Sequence, residues 1–399
     1  MVNLCKTDNS CCGCGLCSVV CPKSVLAMKQ DKEGFFYPSV INYDACIHCN
    51  KCEKYCPELN RISSPREVIS CYSGYASDEY IIRECASGGL ATVISINFIK
   101  SGGVVYGVQY SSDFECVEYG RADSVEQLDR FKASKYAQSI KSNTFVNVLS
   151  DLKAGRKVLF IGLPCDIAAI NNYTKKYADK LFTMELICHG VTSPLVHKQF
   201  ICNLKQRFSS NIVSFSLRHK KDAWKPYYIK TVFENGITDI ELFRPTSYGI
   251  AFHYLKRPSC NNCRFKIYDK EFGLQADLTI GDNHGVRPED PSYNHWGSSM
   301  FFVHSKKGSE LVDCCKENFI IKEEKSNIIK HNLALFRAIK IKKERKLFVK
   351  TFTTKGLNST RYIWLIRLKD FKISIRKKIG LVHVKIIRLF NKMFSKHSN

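Results

Sequence analysis

The chain has no run of about 18 uncharged apolar residues, the length that spans a bilayer. Its start, Met1-Val2-Asn3-Leu4-Cys5-Lys6, lacks the apolar stretch and cleavage pattern of an export signal. Both absences predict a cytoplasmic protein with reduced or metal-bound thiols. Low-complexity segments are missing too. No G-x-G-x-x-G follows a strand-like run, so a Rossmann dinucleotide domain has no support. Acidic residues are scarce at one end. Residues 330–399 hold twenty Lys and Arg against Glu344 and Asp370, a net +18 of the whole chain's +24. The basic excess belongs to a tail.

What the sequence has in abundance is cysteine, 20 in 399 residues. A disulfide scaffold usually belongs to a short exported chain, which this is not. Two runs share one spacing: Cys11-x2-Cys14-x2-Cys17-x3-Cys21-Pro22 and Cys46-x2-Cys49-x2-Cys52-x3-Cys56-Pro57. This is the bacterial two-cluster ferredoxin pattern, in which the fourth cysteine of each run crosses to the other cluster. The expected ligand sets are Cys11, Cys14, Cys17 and Cys56 for one [4Fe-4S] cluster, and Cys46, Cys49, Cys52 and Cys21 for the other. Structural zinc also favours CxxC pairs, but it does not explain two complete runs each ending in proline. Cys12 falls outside the spacing and reads as a bystander.

The fold expected is α+β (mixed α/β): a ferredoxin module over 1–60, then α/β regions over 70–150 and 151–330, then a basic helical tail over 331–399. Arg61 to Arg66 reads as a linker. Leu90 to Lys100 has helical periodicity, and Val104 to Tyr110 reads as a strand. Lys157 to Ile161 reads as a buried strand, Asp166 to Tyr177 as a helix and Leu181 to Cys188 as another strand. If those two strands run parallel, Cys165 and Cys188 leave the sheet at its carboxyl edge, where α/β folds place their sites. Cys260 and Cys263 add a CxxC pair. The four could hold a third [4Fe-4S] cluster, a zinc ion or a redox pair, or be ordinary buried thiols. Cys5, Cys71, Cys85, Cys116, Cys202, Cys314 and Cys315 show no partner pattern and read as structural.

Six strings occur in order: "ECASGGLATVI", "FKASKYAQS", "VLFIGLPCDIAAI", "ELICHGV", "RPSCNNCRFK" and "ADLTIGDNHGV". Over about residues 1–310 the chain resembles the coenzyme F420 hydrogenase/dehydrogenase beta-subunit family with an N-terminal two-cluster ferredoxin module. The resemblance implies an FAD-containing iron–sulfur oxidoreductase, fed by ferredoxin or a partner redox subunit and reducing an organic hydride acceptor. It implies Cys165, Cys188, Cys260 and Cys263 as ligands of a core cluster. It places Ser87, Gly88, Gly89, Ser134, Lys135 and Tyr136 at the flavin. Members of this form can accompany surface polysaccharide synthesis. The chemistry is compatible: Gly88 and Gly89 at a helix start could let backbone amides approach a diphosphate, and Lys135 could neutralise it. The plain alternative is a helix start and a solvated lysine. His189 and His284 are candidate proton relays or satisfied hydrogen-bonders. His284 stands where the family often has an aromatic residue.

In the tail, Ile375, Ile379, Val382, Ile386, Leu389 and Met393 fall on one helical face, with basic residues largely off it. This reads as attachment to the anionic inner face of the cell membrane, or as a helix docked on the protein itself. No nucleic-acid module accompanies the charge, so nucleic acid is not an expected partner. The competing function is a non-catalytic electron-relay subunit of a larger complex.

Overall fold

The computed structural model describes residues 10–60, 65–141, 143–267, 269–271 and 273–359. The tail helix expected beyond Ile375 lies outside them. The two cysteine runs, thirty-five residues apart, fold alike. Gly13 and Gly15 have φ of 71° and 80°, and His48 and Asn50, at the equivalent positions, have 51° and 54°. Each left-handed pair leads into one helical turn, Leu16–Val19 and Lys51–Lys54. Between them β1 (Leu26–Gln30) and β2 (Phe36–Val40) form an antiparallel hairpin.

The apolar runs further on become strands. β3 (Ser70–Ala76), β4 (Val104–Tyr110), β5 (Val117–Ala122), β6 (Val158–Gly162) and β7 (Leu181–Leu186) enter one large sheet. β8 (Ile212–His219), β9 (Tyr228–Phe233) and β10 (Thr238–Leu242) form a separate antiparallel sheet. β11 (Leu278–Asp282), β12 (Ser299–Val303) and β13 (Phe319–Glu324) return to the large one. Its order is β13-β3-β12-β11-β7-β6-β4-β5. β4, β6, β7 and β11 run parallel, and the outer strands pair antiparallel. Strands from both sides of residue 150 thus share one sheet. The helix read from Asp166 opens at Pro164, a residue suited to a first helical position, and β7 stops at Leu186.

The central strands are buried on both faces, which is why they read as continuous apolar runs. Val105, Leu159 and Phe182 pack on one face with Phe98 and Leu90. Val104, Tyr106, Val158 and Phe160 pack on the other with Phe145 and Ile170. Leu16 of the N-terminal module belongs to this second core and is 0% exposed, and Phe35 is equally buried against Val196, Phe200 and Tyr248. Each such side chain contributes about 1.5–3 kcal/mol, so the ferredoxin-like module is held to the sheet by its own apolar residues. Among the described residues no helix is long and apolar enough to cross a membrane.

Candidate functional site

Because β6, β7 and β11 are parallel, their carboxyl ends open on one edge. Cys165 follows β6, Cys188 and His189 follow β7, and Asp282 to His284 leave β11. The expected emergence of Cys165 and Cys188 together is what the register produces.

Cysteines from the two runs come together. Cys17 lies within electrostatic reach of Cys11 and Cys56, Cys14 of Cys56 and Cys17, and Cys11 of Cys56. Cys21 neighbours Cys52 instead, and both pack with Cys46 against Val25 and Leu26. Cys49 is exposed. Burial pushes the Cys17 thiol up to about 12 and the Cys11 thiol to about 11, with neighbouring cysteines adding to it.

The core cysteines also gather. Cys188 is in reach of Cys165, Cys260 and Cys263, and Cys165 and Cys263 pack against Ala168 and Phe265. No disulfide joins any of the described cysteines. The sets are neighbourhoods of thiols rather than convergent ligands: among the described residues no three His, Cys, Asp or Glu side chains close on a single ion. Buried cations surround them. Lys256 is close to Cys188 and Cys260, Lys266 to Cys188 and Cys263, Lys141 to Cys14 and Cys165, and Arg257 to Cys11 and Cys260. An iron-bound thiolate set carries net negative charge, so the donor set and its cations fit [4Fe-4S] clusters.

Arg257, which opens the "RPSCNNCRFK" string, joins the two halves, a role the string does not show. Its guanidinium is 1% exposed. It donates to the carbonyl oxygens of Cys11 at 2.8 Å and Phe36 at 3.0 Å, and to Gln138 Oε1 at 3.0 Å. Tyr37 lies beneath it, 4.2 Å from ring centre to Cζ. Gln138 Nε2 in turn donates to the Gly13 carbonyl at 3.0 Å. A Cβ on Gly13 would fall 2.3 Å from Gln138 Nε2 and 2.7 Å from Arg257 Cζ, so glycine is required there both for φ and for space. The Cys12 thiol, outside the ligand spacing, is within electrostatic reach of Cys14 and Cys165.

The residues placed at the flavin by resemblance lie on two neighbouring segments. The Ser134–Tyr136 segment runs beside Val191 and Thr192, just after the core cysteine Cys188. The Ser87 turn lies near it through Cys85, which is within reach of Lys132, Lys135 and Lys220. Ser87 Oγ donates to the Ser298 carbonyl at 2.8 Å, and the Gly88 amide donates to Ser299 Oγ at 2.9 Å. That amide already has a partner, so this glycine pair serves close packing: a Cβ on Gly88 would lie 2.6 Å from the Gly74 carbonyl oxygen, and one on Gly89 2.9 Å from Ile81.

Three further residues, with no sequence motif, complete this region. Lys220 donates to the carbonyl oxygens of Ile82 and Ser87. Arg218 pairs with Asp282 at 3.0 Å and lies over Tyr227, but its Nε and Nη2 have no partner among the described residues although the side chain is buried. Trp224 stacks on His284 at 5.9 Å. Desolvation lowers Lys135 and Lys220 to about 7. Arg218, with two guanidinium nitrogens lacking acceptors among the described residues, and two lysines that a bound anion would hold protonated, with Asp282 beside them, fit an anion such as the diphosphate of FAD. The ring of His189 is exposed, yet desolvation, then Lys256, His284 and Lys266, press its pKa down towards 4. A cleft of about 500 Å³ beside Lys205, Asn211 and Glu234 shares no residue with these groups.

Comparison with known proteins agrees with the motifs. Residues 155–327 match the family model for the C terminus of the coenzyme F420 hydrogenase/dehydrogenase beta subunit, and residues 10–59 match the 4Fe-4S dicluster domain. Among solved structures, a chain of the F420-reducing [NiFe] hydrogenase complex from Methanosarcina barkeri is 15% identical. The likeness covers 75% of this chain and 91% of that one, with a TM-score of 0.44. No curated protein matches.

Proposed function

We propose that this chain, an iron–sulfur redox protein related to the coenzyme F420 hydrogenase/dehydrogenase beta subunit, is a ferredoxin- and FAD-dependent oxidoreductase. In this reading electrons pass through three [4Fe-4S] clusters to a flavin and on to an organic hydride acceptor. The supporting observation is the sequence of thiol sets: the Cys46–Cys49–Cys52 set reaches the surface at Cys49, the Cys11–Cys14–Cys17 set adjoins it through Cys17 and Cys52, and the core set follows at Cys165. The core set lies beside the segment that carries Lys135 and Tyr136. FAD, when bound, accepts electrons singly and passes them on as a pair.

The protein's own residues would do the rest. Lys135, Lys220 and Arg218 supply positive charge to the diphosphate. Tyr136 and Trp224 offer apolar faces. An imidazole held neutral, as His189 is near pH 7, can accept a proton in a hydrogen bond but does not store one. The test is the iron, sulfide and flavin content of anaerobically purified protein. About twelve irons and one flavin per chain are expected; eight irons without flavin, or zinc in place of iron, overturns the reading. Clusters that are reduced by ferredoxin but never reoxidised by any acceptor would assign the relay role instead.

A further inference from the structure

Three neighbouring strands of the large sheet bring a carboxyl, a hydroxyl and an imidazole into line. Glu185 on β7 and Thr279 on β11 are direct partners in the parallel ladder, and His304 follows the end of β12. All three are buried. Thr279 Oγ1 lies 2.7 Å from Glu185 Oε1 and 2.8 Å from His304 Nε2. His304 Nδ1 meets the Glu67 carbonyl oxygen at 3.0 Å, and Glu67 is exposed, so the chain runs inward from the surface. At its inner end Glu185 Oε2 has no partner among the described residues. Arg66 and Lys266 face the carboxyl, and Arg66 and Asp277 face the imidazole, with Lys307 3.5 Å from Asp277. Lys266 Nζ also donates to the Cys188 carbonyl at 3.1 Å, so the same cation stands beside the core set.

Proton counting gives the chain a chemical role. A carbonyl only accepts, so the bond to Glu67 requires a proton on His304 Nδ1. Thr279 has one hydroxyl proton for two neighbours. If it goes to Glu185, Nε2 must be protonated as well, and the ring is a cation beside a carboxylate. If it goes to Nε2, Glu185 must itself hold a proton to bond Thr279, and both end groups are neutral. In either case the chain holds one proton more than a carboxylate and a neutral ring. Burial decides where that proton rests, because it lowers His304 to about 4 and raises Glu185 to about 7.

We propose that the Glu185–Thr279–His304 chain is a proton-loading site, taking up one proton from solvent as one electron reaches the core cluster. The proposal rests on the core cluster assigned above. Glu185 and Cys188 are three residues apart, at most about 11 Å between Cα atoms. Over that span one added negative charge shifts an ionisation equilibrium roughly tenfold. Before loading, Glu185 is a carboxylate and the ring keeps its proton on Nε2. A solvent proton then bonds to Nδ1, the Nε2 proton passes to Thr279 Oγ1, and the Thr279 proton passes to Glu185 Oε1. The electron comes from a one-electron reductant such as reduced ferredoxin, which is oxidised as the core cluster is reduced. Charge near the core set is then unchanged.

The experiment is a redox titration of the holoprotein, followed by electron paramagnetic resonance, on both sides of neutral pH. The core-cluster signal is the one that Cys188→Ser removes. Above the Glu185 value of about 7, its wild-type potential should fall as pH rises. The fall should be up to about 59 mV for each tenfold drop in proton activity, and the slope should flatten at lower pH. Glu185→Gln should keep the wild-type iron and lose the slope. A slope that persists in Glu185→Gln puts the proton elsewhere and overturns the proposal, as does a wild-type potential independent of pH. If Glu185→Gln fails to fold or loses iron, infrared difference spectra of the wild type give the second measurement. A carboxylic acid band that grows on reduction and moves in Thr279→Val supports the chain, and the lack of such a band refutes it. A wild-type protein with eight irons sinks the core-cluster reading, whereas twelve irons with a flat potential refute this proposal alone.

Discussion

Arg257 Nε donates to the carbonyl oxygen of Cys11 at 2.8 Å, and its Nη2 stands 3.8 Å from the Cys11 thiol. Arg257 lies three residues before the core CxxC pair, so this one side chain ties the first cluster cysteine to the segment holding Cys260 and Cys263. Its charge also favours a thiolate at Cys11, opposing the burial that raises that thiol.

Replacing Arg257 by Met should keep an apolar chain of similar length but remove the guanidinium from over Tyr37 and leave the Cys11 and Phe36 carbonyls without this donor. Each unsatisfied buried acceptor costs about 1–3 kcal/mol. A clear fall in the anaerobic thermal midpoint is expected, and a midpoint equal to wild type would show that the arginine does not clamp the module.

The two cysteine loops allow an opposed pair of substitutions. Gly13→Ala should destabilise the protein, since Cβ would collide with Gln138 and Arg257. Asn50→Gly should stabilise it by up to about 1 kcal/mol if relief of the left-handed strain outweighs the added chain entropy. Denaturant unfolding of both variants reads the difference, and destabilisation by Asn50→Gly would show that its side chain, not its backbone angle, matters.

In the proposed crossed ligation Cys56 would be a partner of Cys11, Cys14 and Cys17, although it ends the other run. Cys56→Ser and Cys11→Ser should therefore perturb the same cluster and give matching changes in the resonance spectrum. Cys21→Ser should perturb the other. Identical spectra for Cys56→Ser and Cys21→Ser would mean that the runs do not cross.

Two buried imidazoles predict acid sensitivity. His197 bonds the Phe114 carbonyl through Nε2 at 2.8 Å, and His304 bonds the Glu67 carbonyl through Nδ1 at 3.0 Å. Burial lowers both from 6.5 to about 4. As pH falls, the unfolded chain therefore takes up the proton first. Their contribution is complete above the unfolded value and is lost progressively towards the folded one, by up to about 3 kcal/mol per histidine. His197→Gln should flatten the decline between pH 6.5 and 4 in equilibrium unfolding; an unchanged slope would place the sensitivity elsewhere.

Arg218 brings two guanidinium nitrogens without acceptors among the described residues to the region of Lys135 and Lys220. Arg218→Gln should weaken flavin retention about tenfold or more, as the loss of a charge-assisted hydrogen bond implies. Gel filtration with flavin fluorescence checks this, and unaltered flavin content would exclude Arg218 from the diphosphate site.

Cysteine spacing carried the ferredoxin module almost whole, because a cubane held by one short loop needs those intervals. Apolar runs carried the central strands as well: β4 and the Leu90–Lys100 helix have the boundaries their periodicity implies. Cys165 and Cys188 were legible as edge residues because buried parallel strands deliver the residues after them to a common edge. Arg218 and Lys220 were not legible, and Arg257, though it opens the "RPSCNNCRFK" string, gave no sign of its contacts. A single buried cation has no repeat or spacing, and its meaning comes from neighbours that lie far away along the chain. Cys12 shows the same division. Its position beside Cys11 excluded it from the ligand spacing, and that much is a matter of chain geometry. Its nearness to Cys165 exists only after Leu16 and Arg257 have docked the module on the sheet.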